Sequence, residues 1–204
     1  MSSAIPPASD SFDANRRHFL LLATSAIGMA GVAASSIPFL ASWRPSARAR
    51  ALGAPVEVDI GKLDLGAMMQ VLWRGQPIYI VHRTPQMLAS LTRDTNLLRD
   101  PQSNDSQQPD YAKNTDRAIR PEYLVVIGVC THLGCAPTPK FEPDGDTGKN
   151  WPGGFYCACH GSKYDIAGRV FKDVPAPRNL AVPPYRFADD THVIVGVDTE
   201  TSSA

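Results

Sequence analysis

The chain has 204 residues, 43% of them hydrophobic, and a formal net charge of zero from 20 Lys plus Arg against 20 Asp plus Glu. That length suits one globular domain with added segments, and the balanced charge excludes the basic excess that nucleic-acid phosphates attract. Four Cys are too few for a disulfide-dense scaffold, yet all lie between Cys130 and Cys159, which marks a site.

A polar leader, residues 1–18, ends on Arg16, Arg17 and His18, and from Phe19 to Trp43 no residue is charged. At about 1.5 Å per residue that stretch extends roughly 37 Å as a helix, against a hydrocarbon core of about 30 Å. Residues 19–43 therefore read as a single membrane anchor, not a buried core helix. A cleaved export signal competes through Ala47-Arg48-Ala49 and Ala49-Arg50-Ala51, which loosely fit a small-x-small cleavage pattern; retention is the reading adopted. Paired arginines before a Phe-Leu apolar run resemble a twin-arginine export signal, used by domains that load a cofactor before crossing. The expected location is the bacterial inner membrane with the head in the periplasm. Counting arginines points the other way, since Arg44, Arg48 and Arg50 follow the span.

Residues 44–55 carry Pro at both ends, Gly53 near the close and no apolar period, and read as a hinge linker. Residues 56–204 then read as one small, mainly antiparallel β domain, an all-β head behind a single helix. Val56, Val58 and Ile60 alternate with Glu57 and Asp59, and Met69–Trp73 faces Gln76–Val81 across Arg74-Gly75 as a hairpin. Thr84-Pro85 opens a short helix through Leu91. The polar stretch 103–117 reads as a surface loop. Further strands are expected at 123–128, 154–156 and 192–197, with a frayed tail over the last seven residues.

Two boxes carry the chemistry. Cys130-Thr-His132-Leu-Gly-Cys135 follows the apolar run Val125-Val126-Ile127, and Cys157-Ala-Cys159-His160-Gly-Ser162-Lys-Tyr164 comes later. Each supplies two Cys and one His, and a thiolate and an imidazole on one loop suit a metal. By spacing alone, a structural zinc site and a pair of disulfides remain open beside an iron-sulfur site. Zinc leaves Ser162, Tyr164 and the anchor unexplained, and disulfides alone leave both His accidental. His18, His82 and His192 have no ligand-like spacing.

Both boxes resemble, at every fixed position, those of the Rieske family in its branch from quinol-oxidising cytochrome bc complexes. The likeness extends to Trp73-Arg-Gly-Gln-Pro-Ile-Tyr-Ile-Val-His-Arg-Thr84, to Pro175-Ala176-Pro177 and to the anchor. It implies a Rieske domain with a cluster-binding subdomain holding a 2Fe-2S cluster, Cys130 and Cys157 on the inner iron and His132 and His160 on the outer one. It also implies a disulfide between Cys135 and Cys159, a pair that cytoplasmic Rieske ferredoxins and ring-hydroxylating oxygenases lack. Ser162 and Tyr164 would donate hydroxyl hydrogen bonds to a bridging sulfide and to the Cys130 sulfur, raising the potential. His160 and Leu133 would meet the quinone site, and Pro175, Ala176 and Pro177 would cover the cluster. Val174 stands where the family usually has Gly, so this loop is expected to sit differently.

The implied function is one-electron oxidation of a lipid quinol at the positive side of the membrane, coupled to proton transfer, with delivery to a c-type haem. The implied partners are cytochrome b and c-type cytochrome subunits in a dimeric complex. Two rivals are the small Rieske subunit of a molybdenum oxidase, which needs no retained anchor, and an anchored electron carrier outside any complex.

Overall fold

A computed structural model describes residues 14–198, apart from 94, 106, 146 and 148–150. Most of the leader and of the expected polar tail lie outside the described residues. The chain divides into two compact units, Met1–Ala49 and Arg50–Ala204.

In the first unit, α1 (Ala14–Ser42) is continuous and buries no residue, and its most apolar 18-residue window has a mean hydropathy of 1.8. Three of its hydroxyls turn back on the backbone: those of Thr24, Ser36 and Ser42 donate to the carbonyls of Leu20, Val32 and Phe39 at 2.8, 2.8 and 2.6 Å. Beyond the charged first turn, a stretch from Phe19 on that is uncharged and mostly apolar, with these hydroxyls satisfied within the helix, is what a bilayer accepts. The helix ends in a tightened turn, Arg44 N–H to the Ala41 carbonyl at 3.1 Å, just before Pro45.

The linker is not wholly irregular, contrary to its lack of apolar period. Ala47–Leu52 form a short helix, α2, whose start is capped by the Ser46 hydroxyl accepting from Ala49 N–H at 3.1 Å. Ala, Arg and Leu are strong helix formers and Ser a strong cap, which local propensity alone explains.

The second unit contains three antiparallel sheets of three strands each among the described residues. The strands are β1 (Val56–Asp59), β2 (Met68–Trp73), β3 (Gln76–His82), β4 (Tyr123–Ile127), β5 (Thr138–Lys140), β6 (Gly154–Cys157), β7 (Ser162–Asp165), β8 (Tyr185–Phe187) and β9 (His192–Val195). They pair in the orders β1-β9-β8, β2-β3-β4 and β5-β6-β7. The β2–β3 hairpin turns at Arg74 and Gly75, both at positive φ, the two-residue turn that matches strand twist. A short helix, α3 (Pro85–Ser90), starts at Thr84, whose side chain accepts from Met87 N–H, and ends with Leu91 as its cap. Ile78, Ile80, Leu124, Val125 and Val126 are fully buried, so β3 and β4 anchor the core.

The described residues of the polar stretch 103–117 are mostly exposed or half-buried, as expected of a surface loop, but Ser103, Ala112 and Arg117 are fully buried and pin it inward. Three buried guanidiniums explain why. Arg117 donates to the carbonyls of Ala167, Gly168 and Leu180 at 3.1, 3.3 and 2.7 Å. Arg83 donates to Pro121 and Asp116 carbonyls at 2.8 and 2.9 Å, and Arg169 to Leu91 and Pro101 at 2.6 and 3.2 Å. Backbone carbonyls replace lost water, and burial brings Arg83 and Arg117 down only to about 10, so both stay charged at neutral pH. The clamp ties this stretch to the turn that follows β7.

Candidate metal centre

Two loops converge, one after β4 and one between β6 and β7, and they share a turn. In the first, Gly134 N–H donates to the Cys130 carbonyl at 3.0 Å; in the second, Gly161 N–H donates to the Cys157 carbonyl at 2.9 Å. Both glycines have positive φ, 85° and 75°, a conformation that disfavours a side chain. Each turn buries its first Cys and carries its His outward. Cys130 and Cys157 are free thiols and 2% exposed, His132 is half-buried and His160 exposed. The imidazoles meet edge to face with centroids 4.7 Å apart.

Cys135 and Cys159 form the disulfide implied by the resemblance, Cα atoms 6.7 Å apart, and it joins the loops. The sulfurs of Cys135, Cys157 and Cys159 all lie within 4.8 Å of one another. That trio is no three-thiolate site, because two of its members are bonded to each other.

The donor set fits a mixed thiolate and imidazole group. The His132 Nδ1 atom is buried with no hydrogen-bond partner, a costly state for an imidazole unless a metal occupies its lone pair. Two free thiols stand in the same loops. Burial pushes the Cys130 thiol up, but hydrogen bonds from Tyr164, the His132 backbone, Cys157 and Ser162 outweigh it and leave Cys130 below its ordinary value. Burial, then the proton it shares with Cys130, holds Cys157 up. The Cys130 side is therefore prepared to be a thiolate.

Tyr164, on β7, is fully buried with its hydroxyl 3.2 Å from the Cys130 sulfur. That oxygen accepts from Thr131 N–H at 3.1 Å, so its own proton is left for Cys130 or for the Thr131 hydroxyl. Thr131 donates its hydroxyl proton to the Arg178 carbonyl at 2.7 Å, so its oxygen and the Cys130 sulfur, each 3.2 Å away, are the two acceptors open to Tyr164. Burial raises the Tyr164 phenol further, and it remains a donor. Ser162 is also buried, and its oxygen accepts from Ala176 N–H at 3.1 Å. Ala176 is fully buried between exposed Pro175 and Pro177, while Val174 packs against the core. The positive φ in this loop falls at Asp173, so Val174 is accommodated without it.

Leu133 is 71% exposed at the tip of the first loop. Thr131 and Tyr79 had not been singled out by spacing. Tyr79, on β3, donates its hydroxyl to the Pro137 carbonyl at 3.0 Å and stacks on Phe155 at 5.8 Å, so one side chain touches both loops' strands. A Cβ at Gly128 would collide with the Tyr79 ring.

The Rieske [2Fe-2S] domain model matches residues 97–185, and the model described as Ubiquitinol-cytochrome C reductase Fe-S subunit TAT signal matches residues 6–46. The chain is 53% identical to the ubiquinol-cytochrome c reductase iron-sulfur subunit of Allochromatium vinosum, covering 95% of this chain and 94% of that one. It is 45% identical to the subunit of that name in Blastochloris viridis, covering 93% and 97%. With the cytochrome b-c1 complex subunit Rieske, mitochondrial, of Schizosaccharomyces pombe it shares 42% identity over 84% of this chain and 66% of the other.

Proposed function

The chain belongs to the ubiquinol-cytochrome c reductase iron-sulfur subunits, and on that premise we propose that Cys130, His132, Cys157 and His160 hold its 2Fe-2S cluster. The observation that carries the ligand set is the buried, partnerless His132 Nδ1 beside two free thiols. When bound, the cluster supplies a one-electron acceptor whose two imidazole ligands raise its potential above that of all-thiolate centres.

The protein's own residues do the rest. Exposed His160 offers its ring to a quinol hydroxyl, with Leu133 as an apolar contact for the lipid-soluble substrate. Held through one ring nitrogen, His160 would be more acidic than free His and so could stand deprotonated at the other nitrogen, and in that form it would take the quinol proton as the electron leaves. Tyr164 donates to Cys130, and the Ser162 hydroxyl, held by Ala176 N–H, faces the same group. Both favour the more negative state and raise the potential. The buried Ala176 of the Pro-Ala-Pro loop keeps water from that side.

The anchor α1 holds the head at the positive, periplasmic side, where the chain works with cytochrome b and a c-type cytochrome in a dimeric complex. A single small head serves a quinol site and a separate haem by travelling between them, with residues 44–55 as the hinge. Six-residue α2 is too short to be stable alone and melts readily during that motion. Pro at Ala49 and at Ala51 should slow quinol to cytochrome c turnover while cluster content stays at wild type; unchanged turnover makes the linker a passive tether.

The ligand reading is tested by electron paramagnetic resonance on reduced membranes. Wild type should give a Rieske-type signal, and Cys130→Ser and His132→Ala should abolish it. One zinc per chain, with neither iron nor sulfide, overturns the reading.

A further inference from the structure

We propose that in a chain without its cluster the Cys157 sulfur attacks the Cys135–Cys159 disulfide, so that one ligand and the loop clamp form a single exchangeable set of three sulfurs. The inference rests on the ligand reading above only in taking Cys157 to be committed when the cluster is present.

Three observations carry it. The Cys135, Cys157 and Cys159 sulfurs lie within 4.8 Å of one another, and the first and last are already bonded. Cys157 cannot easily withdraw, because β6 pairs it with Ser162 and its carbonyl accepts from Gly161 N–H at 2.9 Å. It is 2% exposed, so external thiols reach it poorly while a disulfide stands beside it, and held proximity makes the internal reaction the faster one. Cys130, the other free thiol, lies outside the trio and is occupied with Tyr164.

The exchange is balanced without an oxidant. Cys157 first gives its proton to solvent; its sulfur then attacks the Cys135 sulfur, the Cys135–Cys159 bond breaks, a Cys135–Cys157 bond forms, and Cys159 leaves as a thiolate that takes a proton back from solvent. One disulfide and two thiols exist before and after. Attack on Cys159 instead closes a cramped ring around the single residue Ala158, so Cys135–Cys157 is the main product. Cys159 is exposed and leaves into solvent. Coordination to iron would draw electron density from the Cys157 sulfur and hold it in place, so a loaded chain would keep its clamp, whereas an empty one consumes a ligand and loses its capacity to be refilled.

The test uses the full chain in detergent. Iron and sulfide are assayed first, which checks the ligand reading separately. The cluster is then removed with a chelator in oxygen-free, thiol-free buffer, samples are acid-quenched over about minutes to hours, the usual span of such rearrangements, alkylated and peptide-mapped. Disulfides containing Cys157, chiefly Cys135–Cys157 with Cys159 alkylated, should rise about tenfold over a loaded control while the thiol count stays at two. The Cys157→Ala chain should keep Cys135–Cys159. Persistence of Cys135–Cys159 in the emptied wild type overturns the proposal. So does a statistical spread that includes Cys130, which means unfolding, or a falling thiol count, which means oxidation.

Discussion

The sheet β2-β3-β4 and the sheet β5-β6-β7 stand side by side in sequence but are held by different forces. In the first, strands of five to seven residues bury Ile78, Ile80, Leu124, Val125 and Val126 completely. In the second, strands of three or four residues are held by a disulfide, by the Tyr164 hydroxyl and by the buried Asp165–Arg169 pair at 2.7 Å. Apolar burial is non-directional and tolerates small adjustments, so it makes a platform. Directional contacts fix individual atoms, as a metal site requires, but each lost partner leaves a buried polar group stranded.

The largest effect should come from the directional side. Arg169→Met strands the Asp165 carboxylate and removes donors from the Leu91 and Pro101 carbonyls, a loss of about 3–5 kcal/mol by denaturant titration of the full chain. Neutralising the stranded charge with Asp165→Asn in the same chain should recover part of it, since the Asn oxygen still accepts from Ala167 and Arg169 N–H. No recovery would mean that packing, not charge, dominates the pair.

On the platform, Ile80→Ala should cost about 2–5 kcal/mol and Ile80→Val about 0.5–1.5 kcal/mol. Neither should shift the cluster's spectrum or potential; a shift in Ile80→Val would break the distinction between platform and site. Tyr164→Phe sharpens it from the other side. Losing a hydrogen bond to a charged sulfur, about 1.5 kcal/mol, corresponds to roughly 60 mV for one electron, so the potential should fall by that order with the cluster still assembled. Redox titration reads this directly.

The smallest effect belongs to the exposed end of β9, where Asp189 accepts from Thr191 N–H and hydroxyl and from His192. Those hydrogen bonds hold the Asp189 carboxyl down to about 2, and the same carboxylate raises His192. The raised His192 contributes stability that is complete below its unfolded value of about 6.5 and is lost as pH rises through the higher folded value. The lowered Asp189 contributes above about 3.8 and is lost as pH falls toward 2. A His192→Gln chain should therefore be slightly less stable than wild type near pH 5.5 and equal to it at high pH, with salt shrinking the gap.

Much of this division was legible in the sequence, for physical reasons. Strand β1 announced itself through the alternation of Val56, Val58 and Ile60 with Glu57 and Asp59, the β2–β3 hairpin through apolar runs on either side of Arg74-Gly75, and the anchor through an uncharged run long enough to span lipid. The two boxes stood out because each loop is a local turn, and local turns leave local signatures. Strands β5, β7 and β8 were missed because three or four residues, some polar, carry no period. The buried arginines were missed because their acceptors are distant along the chain: Arg117 meets Ala167 and Leu180, 50 and 63 residues on, and Arg169 reaches back 78 residues to Leu91. A charge in a polar stretch looks solvated until such acceptors are seen.

Tyr79 gives the loops a mechanical tie to the platform. Its backbone belongs to β3, its hydroxyl grips Pro137 two residues beyond Cys135, and its ring stacks on Phe155 two residues before Cys157, in space that Gly128 leaves open. A displacement of either loop is thus passed into β3, the central strand of its sheet, so the two loops are held to one common support and do not part independently.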